Sequence, residues 1–309
     1  MRIVFLGNDA WSVPSLRALA DSRHAVALVA TRVPRPAGRG GKLRPTPVAE
    51  ESRALGLPLE EVETVKRGSG LDVVQQAAPD VLVVVAYGEI LPKEVLQIPR
   101  KAPVNMHFSL LPALRGPDPV RRAILGGFDV TGVTTMRMDE GADTGPLLLQ
   151  QEEPIHSTDD AGSLGGRLAE LGGELLVRTL DRMEAGDLDE RPQDEAAATT
   201  APKLRAEEEW VDWSEDAGRV WLRVRALAPD PGARTRFRDR VLKVLRARRA
   251  EGVGEPGTIV AVSRDGLAVA AATGVVYLEE VLPEGRKRMS GAEFIRGYRP
   301  EVGERLSSS

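Results

Sequence analysis

The chain has 309 residues, enough for two domains with buried cores, and its 42% hydrophobic and 28% charged content is typical of a globular protein. It has no cysteine and only three histidines, which excludes disulfides, thiolate nucleophiles and cysteine-ligated zinc and argues against an imidazole-based metal site. Its longest strongly apolar run, Val81–Tyr87, is far shorter than the roughly 20 residues of a membrane-spanning helix. We therefore expect a cytoplasmic protein without a metal or a membrane segment.

The first third of the chain alternates short apolar runs with helical stretches. Strands are predicted at Arg2–Leu6, Ala25–Ala30, Val81–Ala86 and Val104–Met106. Continuous runs of valine, isoleucine and leucine are typical of parallel strands that helices cover on both faces of a sheet. The pattern therefore predicts a doubly wound α/β fold with a mostly parallel sheet.

Two features modify this pattern. Between Pro34 and Pro45, prolines and glycines predict a loop that contains four basic residues and no acidic one. Further along the chain, an amphipathic helix that closes the domain is predicted from leucines at helical spacing, namely Leu164, Leu168, Leu171 and Leu175.

The composition changes between Asp187 and Lys203, where apolar periodicity gives way to acidic residues and then to alanine and threonine. This segment is predicted to be a linker, so that residues 1–187 form a catalytic domain, 188–203 the linker and 204–309 a C-terminal domain. A helix over Ala217–Leu227 and four short alternating runs predict a small C-terminal β-barrel, the runs being Val241–Leu245, Gly257–Val262, Leu267–Ala271 and Val275–Val281.

Charge is distributed unevenly along the chain. In total 42 basic and 46 acidic residues give a net charge of −4, but Arg219–Arg249 has 11 basic residues and two acidic ones. Positive charge concentrated on an otherwise acidic protein indicates a polyanionic partner such as nucleic acid. Only seven of the 42 basic residues are lysine, however, and an arginine-rich chain forms such clusters without any ligand. Both interpretations stay open.

The sequence contains neither of the two common motifs for binding a nucleotide. The first strand is followed by Gly7-Asn8-Asp9-Ala10-Trp11, with one glycine where the dinucleotide fingerprint needs three, and the chain has no P-loop. The fold is therefore predicted to bind something other than a dinucleotide or a nucleoside triphosphate.

The candidate site follows the fourth predicted strand, at the sheet edge where open α/β folds bind ligands. Asn105 and His107 point the same way on extended backbone, and their side chains are donors suited to an oxyanion. Without a cysteine or a Gly-x-Ser-x-Gly elbow, covalent acyl-enzyme chemistry is unsupported, which leaves attack of an external amine on a carbonyl. Asp143, on a loop between Gly141 and Gly145, is the candidate carboxylate that orients the imidazole and manages the proton.

Taken singly, a histidine at a strand end is often structural and an Asp-Thr-Gly triplet is often a plain turn. The ordered set of motifs, however, resembles the formyltransferase family that uses 10-formyltetrahydrofolate. The set comprises Asn105-x-His107-x-Ser109-Leu110-Leu111-Pro112, Arg115-Gly116 and Asp139-Glu140-Gly141-x-Asp143-Thr144-Gly145. The resemblance implies a Rossmann-like catalytic domain, a smaller OB-like domain and no metal. It further implies catalytic roles for Asn105, His107 and Asp143, and a folate site at Ser109, Leu110, Leu111 and Pro112.

Three further stretches narrow the resemblance to members that formylate the α-amino group of methionyl initiator tRNA, and these are Arg35–Gly40, Ala201–Leu204 and Pro283–Met289. The resemblance then implies 10-formyltetrahydrofolate as co-substrate and initiator methionyl-tRNA as partner of a monomer. Basic side chains become candidates for phosphate contacts that position the tRNA, namely Arg35, Arg39, Lys42, Arg44, Arg234, Arg236 and Lys243.

One departure from the family pattern lies beside the predicted folate site. Asp118 and Arg121 stand where the family usually has alanine and glutamine. A carboxylate here would repel both substrates, so we hypothesise that Asp118 pairs with a neighbouring arginine, either Arg115, Arg121 or Arg122.

Three other functions remain open. A related enzyme would formylate a sugar or a glycinamide nucleotide, and the basic C-terminal region argues against it. A hydrolase would turn over 10-formyltetrahydrofolate without an amine acceptor. A non-catalytic module would bind RNA and leave the folate untouched, which the intact asparagine, histidine and aspartate set argues against.

Overall fold

The structure is a computed structural model and describes residues 1–37, 41–264 and 266–308. Its strands are β1 Arg2–Gly7, β2 Ala25–Arg32, β3 Arg35–Ala37, β4 Lys42–Arg44, β5 Leu59–Val62, β6 Val81–Val85, β7 Ala102–His107, β8 Val130–Arg137, β9 Leu147–Pro154, β10 Ala233–Phe237, β11 Arg240–Ala250, β12 Ile259–Ser263, β13 Gly266–Ala270, β14 Val275–Pro283, β15 Met289–Ser290 and β16 Leu306–Ser307. Its helices are α1 Val13–Ala20, α2 Pro47–Ala54, α3 Ser69–Gln76, α4 Lys93–Leu96, α5 Pro119–Leu125, α6 Ala161–Ala185, α7 Ala217–Leu227 and α8 Gly291–Tyr298.

The chain forms two compact units. The first comprises Met1–Pro119, Val130–Pro154 and Gly165–Ala201. The second comprises Val120–Asp129, Ile155–Leu164 and Pro202–Ser309. No helix in the described part of the chain is both long and apolar enough to span a membrane.

The first unit is built on a seven-stranded sheet in the order β5-β2-β1-β6-β7-β8-β9. The strands from β5 to β7 pair in parallel, whereas β8 and β9 pair antiparallel at one edge. The chain runs outward from β1 in one direction and from β6 in the other, which makes the gap between them the switch point where ligands bind in such sheets. The predicted doubly wound, mostly parallel α/β fold is confirmed.

The predicted apolar runs form the centre of this sheet. Every residue of β6, Val81–Val85, is buried, as expected for a strand that is covered on both faces. The predicted leucine helix lies within α6, where Leu168 and Leu175 are almost completely buried. The edge pair β8 and β9 was not predicted from the sequence.

The prediction of a loop over Pro34–Pro45 is wrong at Arg35–Ala37 and Lys42–Arg44, which are strands. β3 and β4 pair antiparallel there, with Arg35 opposite Arg44 and Pro36 opposite Leu43. Proline is compatible with this two-stranded ribbon, since a strand with one neighbour tolerates a missing donor on its open side. Arg39 lies outside the described residues.

The segment predicted to be a linker makes several contacts with the first unit. Its backbone pairs with the chain after β7, through hydrogen bonds from Arg115 N–H to Thr199 O (2.9 Å) and from Ala201 N–H to Arg115 O (2.6 Å). Arg191 forms a second backbone bridge, with Leu147. The boundaries 1–187, 188–203 and 204–309 remain a prediction, but residues up to Ala201 belong to the first compact unit.

The second unit contains an antiparallel sheet in the order β12-β13-β14-β11-β10-β16, with β15 paired to β14. Its core includes Trp213, Phe237 and Phe294. The helix predicted over Ala217–Leu227 is α7 with the same bounds, and the four predicted runs overlap β11 to β14, although β11 extends five residues beyond its run. The expected smaller C-terminal β domain is therefore confirmed, whereas β10 and α8 were not predicted.

An ion pair in the second unit makes its stability depend on pH. Arg122 donates to Glu208 at 2.6 and 3.0 Å, and the backbone N–H of Arg205 donates at 3.0 Å. Hydrogen bonds from Arg122, more than any other cause, lower the pKa of Glu208 to about 2, against the partial burial that opposes ionisation. Because the folded-state pKa is depressed, the ionised carboxylate stabilises the fold above the ordinary pKa of 4.5, and this is lost as pH falls toward 2.

We expect Glu208→Gln to lower the free energy of unfolding by about 1–3 kcal/mol at pH 7. The difference from wild type should shrink as pH falls from about 4.5 toward 2, the window between the two pKa values. Urea unfolding at pH 7 and pH 3 measures this by fluorescence, since Trp210, Trp213 and Trp221 all lie in the second unit. Glu251→Gln, at an exposed position, is the control. An equal difference at both pH values would contradict the linkage.

Candidate active site

Strand β7 ends at the carboxyl edge of the sheet and brings Asn105 and His107 to the same face as Asp143. The Asn105 amide donates to Asp143 Oδ1 at 3.4 Å, and His107 Nδ1 lies 3.6 Å from Asp143 Oδ2. Asn105 is half-buried and His107 is 6% exposed. The structure therefore brings together the three side chains that the sequence pattern predicted as one site.

The two nitrogens of the His107 ring have different surroundings. Nε2 lies 3.0 Å from the carbonyl oxygen of Leu114. A carbonyl only accepts hydrogen bonds, so Nε2 carries a hydrogen in this arrangement. Nδ1 is then the nitrogen that faces the site, and it accepts a proton when the ring is neutral and donates one when the ring is an imidazolium. The Asp143 carboxylate lies close enough to attract such an imidazolium.

Asp143 occupies a strained position on the loop after β8. Its φ is +58°, in the left-handed region that aspartate tolerates better than most residues with a side chain. Asp139 braces the same loop by accepting hydrogen bonds from Gly141 N–H (3.0 Å) and the Thr144 hydroxyl (2.8 Å). This conformation turns the Asp143 carboxylate toward the end of β7.

A backbone donor completes the surroundings of that carboxylate. The N–H of Gly116 donates to Asp143 Oδ2 at 2.8 Å. Gly116 has a φ of +123°, and a Cβ there would lie 2.8 Å from the carbonyl oxygen of Ala201. Only glycine fits this position, because the strand-like pairing of residues 115 and 200 brings the two backbones together.

The predicted folate segment has two kinds of side chain. Ser109 is fully buried and donates to Ala113 O at 2.6 Å, and Leu111 is 2% exposed. These two side chains shape the loop from inside. Leu110 and Pro112 are half-buried and present apolar surface, so they are the members of the segment that a ligand can touch without rearrangement.

Two regions beside the site were missed from the sequence. The loop after β6 follows the strand next to β7, has left-handed backbone at Ala86 and Gly88, and exposes Ile90 by 72%. This loop could have been predicted as part of the site from its position after a run of buried valines, at the switch point of the sheet. Gln193 was the second omission, because the acidic composition around it indicated a linker.

The predicted basic residues fall into two groups that differ in their pairing. Arg35, Lys42 and Arg44 are exposed on the β3–β4 hairpin and form no ion pair with any residue that the structure describes. Arg35 and Arg44 lie directly opposite each other across the two strands, and such like charges repel unless an anion lies between them.

In the second unit part of the corresponding charge is already compensated. Arg234 pairs with Glu209 at 2.9 Å, and Arg236 lies 5.4 Å over the ring of Trp210. Lys243 is half-buried and has no carboxylate partner within the described ranges. Other arginines of the segment pair with acidic residues outside it, the pairs being Arg223–Glu215, Arg238–Glu304, Arg246–Glu279 and Arg248–Glu279. The positive charge counted along the sequence is therefore partly offset on the surface.

The hypothesis about Asp118 stays a prediction. Its side chain is 7% exposed, and its backbone N–H donates to Ala201 O at 3.2 Å. Of the arginines considered, Arg115 pairs with Glu195 at 2.8 Å and Arg122 pairs with Glu208. Across residues 1–37, 41–264 and 266–308, no group of three histidine or carboxylate side chains is placed to hold a metal ion.

Comparison with known proteins identifies the class. The family described as formyl transferase matches residues 1–180, and the one described as formyl transferase, C-terminal domain, matches residues 203–299. The chain therefore belongs to the formyl transferase family, and the resemblance of its motifs is confirmed.

Within that family, relatives with high similarity over nearly the whole chain are methionyl-tRNA formyltransferases. The one from Thermus thermophilus is 45% identical over 306 residues, which cover 99% of each chain. The one from Citrifermentans bemidjiense is 41% identical over 303 residues, covering 98% of this chain and 95% of that one. HypX from Aquifex aeolicus, solved in complex with tetrahydrofolic acid, has the same fold with a TM-score of 0.65 at 21% identity. That similarity covers 98% of this chain and 48% of HypX.

Gly145 provides a test of how tightly the Asp143 loop is held. A Cβ at this position would lie 1.9 Å from the carbonyl oxygen of Arg137, so backbone must move to admit it. We expect Gly145→Ala to lower the free energy of unfolding by about 1–3 kcal/mol. Gly166→Ala is the matched control, since its Cβ meets nothing within 4 Å and alanine favours the helix. Urea unfolding of wild type and of both variants measures these differences in stability. A Gly145→Ala protein as stable as wild type would show that the loop adapts freely.

Proposed function

We propose that the chain transfers a formyl group from 10-formyltetrahydrofolate to the α-amino group of methionyl initiator tRNA, for the initiation of translation. The observation that carries the chemistry is the convergence of an amide donor, an imidazole and a carboxylate at the carboxyl edge of the sheet. The acceptor is inferred from the near full-length relatives at 41–45% identity, which favour methionyl-tRNA over a sugar or a glycinamide nucleotide.

The reaction is an acyl transfer without a covalent enzyme intermediate. The amino nitrogen attacks the formyl carbon, forms the new C–N bond and leaves negative charge on the former carbonyl oxygen. Collapse of this intermediate breaks the bond between the formyl carbon and N10 of the folate. The amine loses one proton and N10 gains one, so the products are N-formylmethionyl-tRNA and tetrahydrofolate.

Asn105 and His107 are proposed to stabilise the oxyanion. The Asn105 amide has two hydrogens, and with one directed to Asp143 the other is available to the developing charge. His107 donates from Nδ1 as an imidazolium, while its Nε2–H bond to Leu114 fixes the plane of the ring. Donors that are already oriented in a largely buried site stabilise charge more than water does.

Asp143 is proposed to accept the proton that the attacking amine loses. Its carboxylate lies beside both donors and accepts a hydrogen bond from Gly116 N–H, so it can attract the imidazolium and receive the proton of the attacking amine. Protonation of N10 then follows from the same group of side chains, without a metal.

The folate is proposed to bind at the carboxyl edge of the sheet, between the loops that follow β6 and β7. Leu110 and Pro112 present apolar surface on one side, and Ile90 is exposed on the loop after the neighbouring strand. Flat aromatic ligands fit between such apolar surfaces. Ser109 and Leu111 would then act by shaping the loop, since their side chains are buried inside it.

The tRNA is proposed to meet the β3–β4 hairpin through its phosphates. Arg35, Lys42 and Arg44 are exposed basic residues without carboxylate partners in the described structure, so their charge is available. Arg39, outside the described residues, belongs to the same basic stretch of sequence. Arg234, Arg236 and Lys243 remain candidates for weaker contacts, because neighbouring groups already engage the two arginines.

Substitutions of the three central residues test the chemistry. We expect Asn105→Ala, His107→Gln and Asp143→Asn each to lower kcat by on the order of 10²–10³ with little change in folate binding. The assay incubates charged initiator tRNA with 10-formyltetrahydrofolate and determines the mass of the released methionine. His156→Gln, at an exposed histidine, serves as control. Near wild-type rates in all three variants would contradict the mechanism, and folate turnover without tRNA would indicate a hydrolase.

Salt dependence tests the proposed tRNA surface. The logarithm of the binding constant should fall with the logarithm of salt concentration by about 0.7–0.9 per phosphate contact. We expect combined replacement of Arg35, Lys42 and Arg44 by alanine to flatten this slope by about 2–3. Combined replacement of Arg246 and Arg248 by alanine is the comparison, with a smaller expected change because both pair with Glu279. Equal slopes for the hairpin variant and wild type would exclude the hairpin as a phosphate contact.

A further inference from the structure

Gln193 links the Asp143 loop to Arg115. Its side-chain amide donates to the carbonyl oxygens of Asp143 (2.8 Å) and Gly145 (2.7 Å). Its oxygen accepts from Arg115 Nε (3.0 Å) and from a terminal nitrogen of the same guanidinium (2.9 Å). All four hydrogen-bonding partners of one side chain therefore lie on two segments, one on each side of the site.

The chemistry of these partners leaves one orientation for the amide. Carbonyl oxygens only accept and a guanidinium only donates, so exchanging the nitrogen and oxygen of Gln193 would oppose like groups at four contacts. The guanidinium is itself held by Glu195, which forms two hydrogen bonds with Arg115 at 2.8 and 2.9 Å. The hydrogen bond to Glu195 is the largest cause that raises the pKa of Arg115.

Gln193 forms its hydrogen bonds at a point where the backbone is strained. Asp143 has a φ of +58°, a conformation that costs energy for any residue with a side chain and persists when neighbours hold it. Gln193 binds the carbonyl of this residue, while Gly116, the neighbour of Arg115, binds its carboxylate. Both ends of Asp143 are thereby fixed relative to the segment that follows β7.

We propose that Gln193 is a positioning residue that holds the Asp143 backbone so that the carboxylate faces Asn105 and His107. This inference rests on the proposed function and adds to it a residue from the segment that the composition predicted to be a linker. Gln193 acts through Asp143 and does not touch the reacting atoms. Its loss should therefore slow the chemical step more than it weakens the binding of either substrate.

The most selective test is Gln193→Glu, which has nearly the same shape. The carboxylate still accepts from Arg115, but it has no hydrogen for the two carbonyl oxygens and repels them. We expect kcat for formyl transfer to fall by about 10- to 100-fold, with KM for tRNA and folate changed by less than about 2-fold. Gln193→Ala should have a similar effect. Gln76→Glu, the same change at an exposed position of α3, should leave kcat unchanged.

Hydrogen exchange gives a readout that does not depend on activity. In Gln193→Glu the backbone amides of residues 139–147 should exchange faster than in wild type, while those of β6 should not change. Wild-type kcat together with wild-type exchange in this variant would overturn the inference. So would a loss of kcat accompanied by faster exchange throughout the first unit, because that pattern indicates general destabilisation. If the wild-type protein transfers no formyl group, the proposed function fails, whereas the exchange data still decide whether Gln193 holds the loop.

Discussion

The hydrogen bond from Gly116 N–H to the Asp143 carboxylate is the interaction on which the site depends. It joins two loops that leave different strands, and it sets the carboxylate beside the amide of Asn105 and the ring of His107. The bond forms only because Gly116 can approach the backbone of Ala201, where a side chain would not fit. One glycine N–H thus couples the geometry of the site to a segment more than eighty residues away in sequence.

The C-terminal region shows that the net charge of a stretch of sequence can differ from the charge that it presents on the protein surface. Arg219–Arg249 is strongly basic in sequence, yet Glu209, Glu279 and Glu304 lie outside it and meet its arginines in the fold. Exposed ion pairs of this kind add little stability individually, but they reduce the field that a polyanion would encounter. The shorter hairpin keeps its positive charge, because the chain around it supplies no acidic partner among the described residues.

The elements predicted correctly from the sequence are those with one strong local pattern, either an apolar run or a helical periodicity. The buried valines of β6 and the helix α7 belong to this group, since apolar runs and helical periodicity reflect burial directly. Strand β8 escaped prediction because Gly132 and three polar threonines interrupt its apolar run, although threonine itself favours strands. A Cβ at Gly132 would lie 2.2 Å from Gln151 O, so the glycine serves close packing in the sheet.

The site divides in the same way. Asn105, His107 and Asp143 were predicted because their residue types carry the chemistry and their spacing forms a motif. Gly116 belonged to the motif set, but its contact with Asp143 was not predicted, and Gln193 gave no comparable signal. Both roles depend on which distant carbonyls and carboxylates the fold brings near them. A hydrogen bond between segments of different strands has no periodicity to detect, and an acidic, alanine-rich composition describes a tethered surface segment as well as a free linker.

The two edge strands of the seven-stranded sheet determine how readily the sheet can pair with a strand of another molecule. Among the described residues, β5 has a partner strand on one side only, and so does β9 apart from the bridge between Leu147 and Arg191 at its start. Such edges can add a strand from a second molecule. Both carry adjacent glutamates, Glu60 and Glu61 in β5 and Glu152 and Glu153 in β9, and β9 ends at Pro154. Glu61 and Glu153 pair with Arg53 and Arg167, so the carboxylates that two copies would bring together edge to edge are Glu60 and Glu152. The proline offers no N–H for a new ladder. These features of the outer strands disfavour the edge-to-edge addition of a second sheet, independently of the chemistry at the centre.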